Sequence, residues 1–253
     1  MDKLENRNIL ITGASMGIGA AIARHLAAFS PNLILLSRSQ TKLDALSSSL
    51  RCKTLTYAVD VQDYAAVSDA VASAVKELGT IDVLINNAGL ALGAPSPFPN
   101  LTIEQVTQMN GTNVNGNVRE AKRGTILNVT STTALEVPPF PGESVYHANK
   151  ALQEGFTNAL RVELTGTDIR VLALRPGVVD THFHRQRVGY DEQMHDEFVE
   201  GYEPLVPEDL GPAVEYMLKS PAGVSVKAVD VVPSAQRSLA SFDRTWNDRN
   251  DKR

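Results

Sequence analysis

The sequence predicts an α/β fold, in which one domain contains a doubly wound parallel sheet with helices on both faces. Short apolar runs alternate with segments of helical periodicity along most of the chain. This alternation is typical of repeated βαβ units with right-handed crossovers. The first apolar run also ends in a glycine-rich turn, "TGASMGIG" at 12–19, directly before the first helical segment. Together these observations favour a Rossmann-like sheet.

The composition fits this class and excludes several others. Of 253 residues, 43% are hydrophobic and 21% charged, as in a globular domain. We expect one domain over 1–242 and a charged, frayed tail over 243–253. The net charge of -5 and the absence of a dense Lys/Arg cluster predict no nucleic-acid partner. A single cysteine, no apolar signal segment and no 18-residue apolar run predict a cytoplasmic protein without a membrane span.

The first half of the chain predicts four elements in order. "NILITGA" (8–14) is a buried strand, and the alanine-rich segment 17–29 is a helix. "NLILLS" (32–37) is the second strand. Ser39 is suited to cap a second helix that runs through Leu50.

The next three elements continue the alternation. "LTYAVDV" (55–61) is a strand, and 63–78 is a helix with Asp63 at its start and Gly79 just past its end. "IDVLINNAG" (81–89) is the strand that follows.

The second half repeats the pattern after a polar segment. We expect strands at 124–131, 169–177 and 228–233, a long helix at 146–164, and a helix at 207–220 that opens with a proline.

The glycine turn carries the first functional signal. Gly13, Gly17 and Gly19 are spaced G-x-x-x-G-x-G, with Ser15 and Ile18 between them. Glycines here allow a tight turn and a close approach of a pyrophosphate to the backbone, and the helix N-terminus offers unpaired N–H groups. We therefore interpret the turn as a dinucleotide site rather than an ordinary turn.

The end of the second strand indicates which dinucleotide is bound. NAD sites usually place a carboxylate there for the ribose 2′-hydroxyl. This chain has Ser37 and Arg38 instead, and an arginine is able to pair bidentately with a 2′-phosphate. The alternative is a solvated surface arginine. We favour NADP(H) as the cofactor.

Tyr146 and Lys150 form a candidate acid–base pair. They stand four residues apart in "YHANK" and share one face of a helix. A nearby ammonium favours phenolate, so we expect Lys150 to lower the pKa of Tyr146. Tyr146 would then exchange a proton with a substrate oxygen. Taken alone, this spacing more often marks a solvated helix face.

In company, these motifs resemble the short-chain dehydrogenase/reductase family over nearly the whole chain. The matching segments are "TGASMGIG", "NNAG" (86–89), "NVTS" (128–131), "YHANK" and "RPGVVDT" (175–181). The resemblance implies an NADP-dependent oxidoreductase with Tyr146 as acid/base and Lys150 lowering its pKa and binding the nicotinamide ribose. It makes Ser131 the partner of the substrate oxygen and Asn113 the holder of a relay water. It also implies cofactor contacts at Asp60, Val61, Asn87, Ala88, Gly89, Pro176, Gly177, Val179 and Thr181.

A closer resemblance concerns the C-terminal third. "VPEDLGPAVEYML" and "VDVVPSAQRS" are similar to the branch of NADP-dependent 3-hydroxy acid and serine dehydrogenases. That branch carries a basic residue after its "T-x-F" step, where Arg187 stands with Arg185 nearby. Either arginine is a candidate clamp for a substrate carboxylate. The equally weighted alternative is a mobile charged lid over an apolar pocket. Homo-oligomers, dimers or tetramers, are common in the family.

Two other chemistries are disfavoured. The "HFH" segment at 182–184 lacks a second set of ligands, so we expect no metal site. Ser131 lacks the G-x-S-x-G elbow of a hydrolase nucleophile.

The chain departs from the family between Asn113 and Gly124, which are only 11 positions apart. Family members usually have about ten more residues here, which is about 15 Å of helix. We expect a fourth helix that is short, broken or displaced, with a helical remnant at 117–122. Its loss would expose apolar surface on helix 146–164 and loosen Asn113. Ser131 and Tyr146 are also 15 apart, about two more than usual, and Thr133 is a second candidate for the serine position.

Three functional hypotheses follow. The first is an active oxidoreductase acting on a secondary alcohol or carbonyl, with a small 3-hydroxy acid as the candidate substrate. The second is a nucleotide-binding protein whose catalysis is impaired by the shortened helix. The third is a chain that folds poorly.

Overall fold

The computed structural model describes residues 4–94, 97–115, 123–138 and 141–250 of the chain. The main sheet contains the strands β1 (Asn8–Thr12), β2 (Asn32–Ser37), β3 (Lys53–Ala58), β4 (Val83–Asn86), β5 (Arg123–Val129), β6 (Asp168–Pro176) and β7 (Ala228–Val231). A short antiparallel pair, β8 (Gln236–Ser238) and β9 (Ser241–Phe242), follows it. The helices are α1 (Gly17–Ala27), α2 (Gln40–Ser49), α3 (Tyr64–Leu78), α4 (Ile103–Asn110), α5 (Ser144–Glu163), α6 (His182–Arg187), α7 (Glu192–Val199), α8 (Gly211–Lys219) and α9 (Trp246–Arg249).

The main sheet has the order β3-β2-β1-β4-β5-β6-β7, and its neighbouring strands are parallel. The chain moves outward from β1 to β3 and then returns to the other side of β1 with β4. A crevice therefore opens beyond the carboxyl ends of β1 and β4, where ligands bind in open α/β sheets. The predicted doubly wound α/β fold is confirmed.

Both faces of the sheet are covered, because successive side chains of a strand point to opposite sides. On one face, Ile9 and Ile11 of β1 belong to a core cluster with residues of α1, α2 and α8. On the other, Leu10 packs in a second cluster with residues of α3. This double burial explains the continuous apolar runs of the central strands.

Two helix starts agree with the capping residues in the sequence. The side chain of Ser39 accepts a hydrogen bond from the backbone N–H of Lys42, and that of Asp63 accepts one from Ala66. The long helix α5 begins at Ser144, two residues earlier than predicted.

The described part of the crossover between β4 and β5 contains α4 and the π-helical turn that follows it. α4 spans eight residues and starts with a capping box between Thr102 and Gln105. It then widens into a π-helical turn over Gly111–Asn115. The predicted remnant at 117–122 lies outside the described residues. On α5, Leu152 and Val162 are 49% and 74% exposed in the single chain.

A buried ion pair fixes α5 against the sheet. Arg175 of β6 donates from Nε and Nη2 to the two carboxylate oxygens of Glu154, at 3.1 and 2.6 Å. Such a bidentate pair restrains orientation as well as distance. It holds α5 at the sheet end where Tyr146 and Lys150 lie.

Two C-terminal regions differ from the expectation of loop or tail. The segment after β6 contains α6 and α7, where the sequence predicted no helix. Residues 243–250 were expected to be frayed, yet they include α9. There Arg244 donates to the backbone oxygens of Phe198 and Glu200, and its guanidinium lies over the Tyr202 ring. Residues 251–253 lie outside the described part.

Candidate active site

The glycine turn between β1 and α1 needs glycine for two separate reasons. Gly13 has a φ of 65°, and a Cβ there would lie 2.9 Å from the Cα of Ala88. A Cβ on Gly19 would come within 2.5 Å of Asn87 Nδ2. The turn is therefore a left-handed, closely packed piece of backbone. No side chain caps the N-terminus of α1 in the described structure, which leaves its first N–H groups facing the crevice.

The segment after β4 holds this turn in place. Asn87 Nδ2 donates to the carbonyl oxygens of Thr12 and Gly13, at 3.0 and 3.2 Å. Thr12 Oγ1 accepts from the backbone N–H groups of Asn87 and Ala88. The side chain of Asn87 thus braces the glycine turn in addition to lining the crevice.

The end of β2 carries Ser37, and Arg38 follows it directly. Ser37 Oγ donates to Ser15 Oγ at 2.7 Å, so the strand end and the glycine turn are in direct contact. Arg38 is exposed and lies beside this pair at the edge of the cleft.

One continuous cleft joins the glycine turn to the Tyr146 region. Gly19 supports the cleft wall without lining it. The predicted cofactor residues that do line the cleft are Gly13, Ser15, Gly17, Ile18, Ser37, Arg38, Asp60, Val61, Asn87, Ala88, Gly89, Tyr146, Lys150, Pro176, Gly177, Val179 and Thr181.

Ser131, Tyr146 and Lys150 meet at the other end of the cleft. Tyr146 and Lys150 are buried on α5, and Lys150 Nζ lies 5.7 Å from the centre of the Tyr146 ring. Ser131 comes two residues after β5, and its Oγ accepts a hydrogen bond from Thr133 N at 3.1 Å. Thr133, the second candidate for this position, also lines the cleft.

Lys150 is held by two oxygen acceptors behind the cleft. Its Nζ donates to the carbonyl oxygen of Val129 at 3.1 Å and to Gln153 Oε1 at 3.0 Å. Burial lowers the pKa of Lys150 to about 7. A lysine in this range changes its charge near neutral pH.

The pKa of Tyr146 shows the opposite of the predicted effect. Burial raises it well above its ordinary value, and the nearby Glu143 carboxylate raises it further. A hydrogen bond from Ser131 and the charge of Arg187 oppose this rise without reversing it. The expected lowering by Lys150 is therefore not seen in the protein alone, because desolvation of the phenolate outweighs the attraction of nearby cations.

Asn113 is firmly held, so the expectation that it would loosen is wrong. It is only 1% exposed. Its side chain accepts from Leu90 N at 2.9 Å and donates to Leu90 O at 2.8 Å. It does not line the cleft but lies behind Gly89, where a Cβ would come within 3.3 Å of Asn113 Oδ1.

A glutamine joins Asn113 to the lysine. Gln153 Nε2 donates to the Asn113 carbonyl oxygen at 2.6 Å, while its Oε1 accepts from Lys150. The amide orientation follows from its partners, because an ammonium only donates and a carbonyl only accepts. The backbone carbonyl of Asn113, the residue that the family resemblance implies as the holder of a relay water, is therefore bonded to a side-chain amide in this chain.

The two candidate arginines have different positions. Arg187 is 7% exposed and lines the cleft, with its Nε 3.3 Å from Glu143 Oε1 and its guanidinium over the Phe198 ring. Arg185 does not line the cleft. It pairs at the surface with Glu192, 3.4 Å away, so the described structure does not support its assignment as a substrate clamp.

Sequence reasoning missed Glu143 and Gln153. Glu143 directly precedes α5 and is 3% exposed, but it lies before the predicted start of that helix at 146. Its separation of three residues from Tyr146 was a usable signal, since such pairs are neighbours on a helix. Gln153 stands at the same separation from Lys150, as a polar residue on its buried face.

Other classes of site find no support in the described structure. Among the residues it covers, there is no group of three His, Cys, Asp or Glu side chains able to hold a metal ion. Within the same part of the chain, every helix is too short or too polar to cross a membrane.

Comparison with known proteins identifies the family. The family model described as "short chain dehydrogenase" matches residues 7–190. The chain belongs to the short-chain dehydrogenase family. This membership confirms the resemblance carried by the motifs, and it makes the chain an oxidoreductase of the short-chain dehydrogenase type.

Several members of the short-chain dehydrogenase family are similar over almost their whole length. An "NADP-dependent 3-hydroxy acid dehydrogenase" from Schizosaccharomyces pombe is 36% identical, with 93% of this chain and 96% of the relative covered. A "sulfoacetaldehyde reductase 2" from Chromohalobacter salexigens is 34% identical, with 93% and 98% covered. Among solved structures, the closed form of a serine dehydrogenase complexed with NADP+ is 32% identical to this chain. The match covers 93% of this chain and 98% of the dehydrogenase chain, with a TM-score of 0.83.

Proposed function

We propose that this protein is an NADP(H)-dependent oxidoreductase that interconverts a secondary alcohol and a carbonyl. The observation that carries the proposal is the convergence of Ser131, Tyr146 and Lys150 at one end of a cleft whose other end is the glycine turn. Acid–base groups beside a dinucleotide site are what a hydride transfer between nicotinamide and carbonyl requires.

The cleft fits NADP(H). The glycine turn and the N-terminus of α1 would bind the pyrophosphate, and Arg38 the 2′-phosphate. Asp60 and Val61 would flank the adenine, and Asn87 to Gly89 would form the floor. Lys150 would bind the nicotinamide ribose, and Val179 and Thr181 would meet the carboxamide. When bound, the nicotinamide supplies or accepts the hydride.

The chain's own groups would handle the proton. The raised pKa of Tyr146 keeps its hydroxyl protonated at neutral pH. A protonated phenol is the form that donates to a carbonyl oxygen during reduction. Ser131 would donate a hydrogen bond to the same oxygen. The Lys150 ammonium would stabilise negative charge on Tyr146 after transfer.

For the substrate, the names of the relatives favour a small 3-hydroxy acid or its keto form. Arg187 is the candidate partner of its carboxylate, because it is buried and lines the Tyr146 end of the cleft.

The alternative is a nucleotide-binding protein with impaired catalysis. The shortened α4 favours it, but the side-chain bonds of Asn113 speak against it, since they hold this residue without a longer helix. A screen of NADPH and NADH with a panel of β-keto acids and simple ketones separates the two. We expect NADPH-dependent turnover. Equal use of both cofactors would contradict the role of Arg38, and turnover with neither would favour the alternative.

Replacement of the tyrosine tests the mechanism directly. Tyr146→Phe removes the proton donor while retaining most of the ring, so turnover should fall by at least about a hundredfold. NADPH binding, followed by fluorescence, should be retained. Tyr57→Phe, on β3, is the control and should remain active. Full activity of Tyr146→Phe would refute the assignment.

A further inference from the structure

A carboxylate occupies the part of the cleft where a substrate acid would be expected to bind. Glu143 is buried at the start of α5 and lines the cleft together with Tyr146 and Arg187. Its Oε1 lies 3.3 Å from Arg187 Nε. The two side chains come from different elements, the end of the loop before α5 and the last residue of α6.

This pair changes the electrostatics of the substrate region. An isolated buried arginine would attract any small carboxylate, but the Glu143–Arg187 pair has no net charge. A substrate carboxylate that reaches Arg187 also comes close to the Glu143 carboxylate. In a buried site such like-charge contact strongly disfavours binding.

We propose that Glu143 is a specificity-determining residue that sets the charge of the substrate. Paired with Arg187, it disfavours compounds whose only charged group is a carboxylate and favours compounds without net charge. These are either uncharged, or zwitterions whose carboxylate faces Arg187 and whose ammonium faces Glu143. The inference rests on the proposed function and narrows its substrate class: among 3-hydroxy acids it favours those with an amino group.

Glu143 has a second effect that the test must separate from specificity. Its charge raises the pKa of Tyr146, so removing it alters the rate for every substrate. A ratio of kcat/KM values for two compounds measured on the same variant cancels this common effect. The ratio also cancels any general loss from a loosened α6.

The experiment compares Glu143→Gln with the unmodified protein on two matched substrate pairs. Acetoacetate and methyl acetoacetate are reduced with NADPH, and the secondary alcohols 3-hydroxybutanoate and threonine are oxidised with NADP+. In each pair the first compound is an anion and the second has no net charge. We expect Glu143→Gln to shift both ratios toward the anion by about tenfold or more. The ester and threonine arms distinguish uncharged from zwitterionic substrates.

Two further variants make the result decisive. Arg187→Gln leaves Glu143 without its cationic partner and should shift the ratios in the opposite direction, against the anions. Glu192→Gln removes the carboxylate that pairs with the exposed Arg185 and should leave the ratios unchanged. A purely structural role of the pair predicts equal loss on all substrates in both Glu143→Gln and Arg187→Gln.

Failure of the inference can be distinguished from failure of the proposed function. Turnover with ratios that remain within about twofold of the unmodified protein would overturn the role of Glu143 alone. If no compound is turned over, the proposed function fails. Thermal shifts of the NADP+-saturated protein with the same four compounds then decide the charge preference, and equal shifts in the unmodified protein and Glu143→Gln would overturn the inference.

Discussion

Lys150 donates a hydrogen bond to an uncharged side-chain amide, that of Gln153. Gln153 Oε1 accepts from Lys150 Nζ at 3.0 Å, and Gln153 Nε2 donates to the carbonyl oxygen of Asn113. An amide fixes position and polarity but does not exchange protons as readily as water. We therefore regard Gln153 as a positioning residue for Lys150.

Gln153→Leu tests this positioning role. The change removes an oxygen that accepts a hydrogen bond from the charged form of Lys150. The pKa of Lys150, about 7 in the unmodified protein, should therefore fall. At pH 7 kcat should drop about tenfold, and the pH profile of kcat/KM should move to lower pH on its Lys150 limb.

Gln153→Glu is the matched control for this prediction. A carboxylate beside Nζ favours the ammonium, so the same limb should move to higher pH. Two variants that lose activity with an unmoved pH profile would indicate that Gln153 has only a packing role.

Contiguous motifs made most individual site residues predictable, while contacts across the fold did not. Gly13, Ser37 and Tyr146 lie in short segments whose spacing carries the chemistry, and the structure brings all three to one cleft. The partnership of Glu143 with Arg187 joins residues 44 positions apart in the numbering. No local pattern encodes such a pair, and the separation of Arg185 from the cleft depends on the rotation of α6.

At the scale of elements, the side chain of Asn113 connects the π-helical turn after α4 to the loop after β4. Asn113 makes two hydrogen bonds to the backbone of Leu90, in the loop after β4. Asn113→Ala would leave a buried N–H and a buried carbonyl of Leu90 without this partner. We expect a loss of about 2–4 kcal/mol in the free energy of unfolding, because two buried backbone groups become unsatisfied.

Chemical denaturation is the measurement for this variant. Asn110→Ala, on the more exposed end of α4, is the matched control. Its Oδ1 accepts a hydrogen bond from the side chain of Asn149, and we expect the loss of this bond to cost about 1 kcal/mol or less. Equal losses in the two variants would contradict a special role for Asn113.

Helices and strands were predicted well where periodicity and caps agreed, as for α3 with Asp63 at its start. The helices α6 and α7 were missed because they have only six and eight residues and contain few apolar side chains. The stability of the π-helical turn was also missed. Asparagine and glycine disfavour a regular helix, but the sequence does not show which backbone groups the asparagine side chains will satisfy.

At the scale of the whole molecule, the buried lysine makes stability depend on pH. The pKa of Lys150 is about 7 in the folded protein against an ordinary 10.5. Between these values the unfolded chain binds a proton that the folded chain does not, so the stability contribution of this residue rises with pH. Below about pH 7 both states are protonated, and the full desolvation cost, on the order of a few kcal/mol, is present.

Lys150→Met removes this dependence. The melting temperature of the variant relative to the unmodified protein should be highest near pH 6 and should fall steadily toward pH 10. Lys53→Met, in which the lost ammonium is half-exposed and paired with Glu77, should give a flat difference. A flat difference for Lys150→Met would show that Lys150 titrates normally. Cooperative melts in this series would also argue against a poorly folding chain.

The hydrogen bonds that hold Asn113 have a consequence for how the sequence of this protein is able to change during evolution. Leu90 and Gln153 hold Asn113 from the loop after β4 and from α5, so these bonds are made by residues outside 116–122. We expect insertions and deletions between 116 and 122 to leave these bonds intact. The length of this crossover is then able to change during evolution while the position of Asn113 is kept.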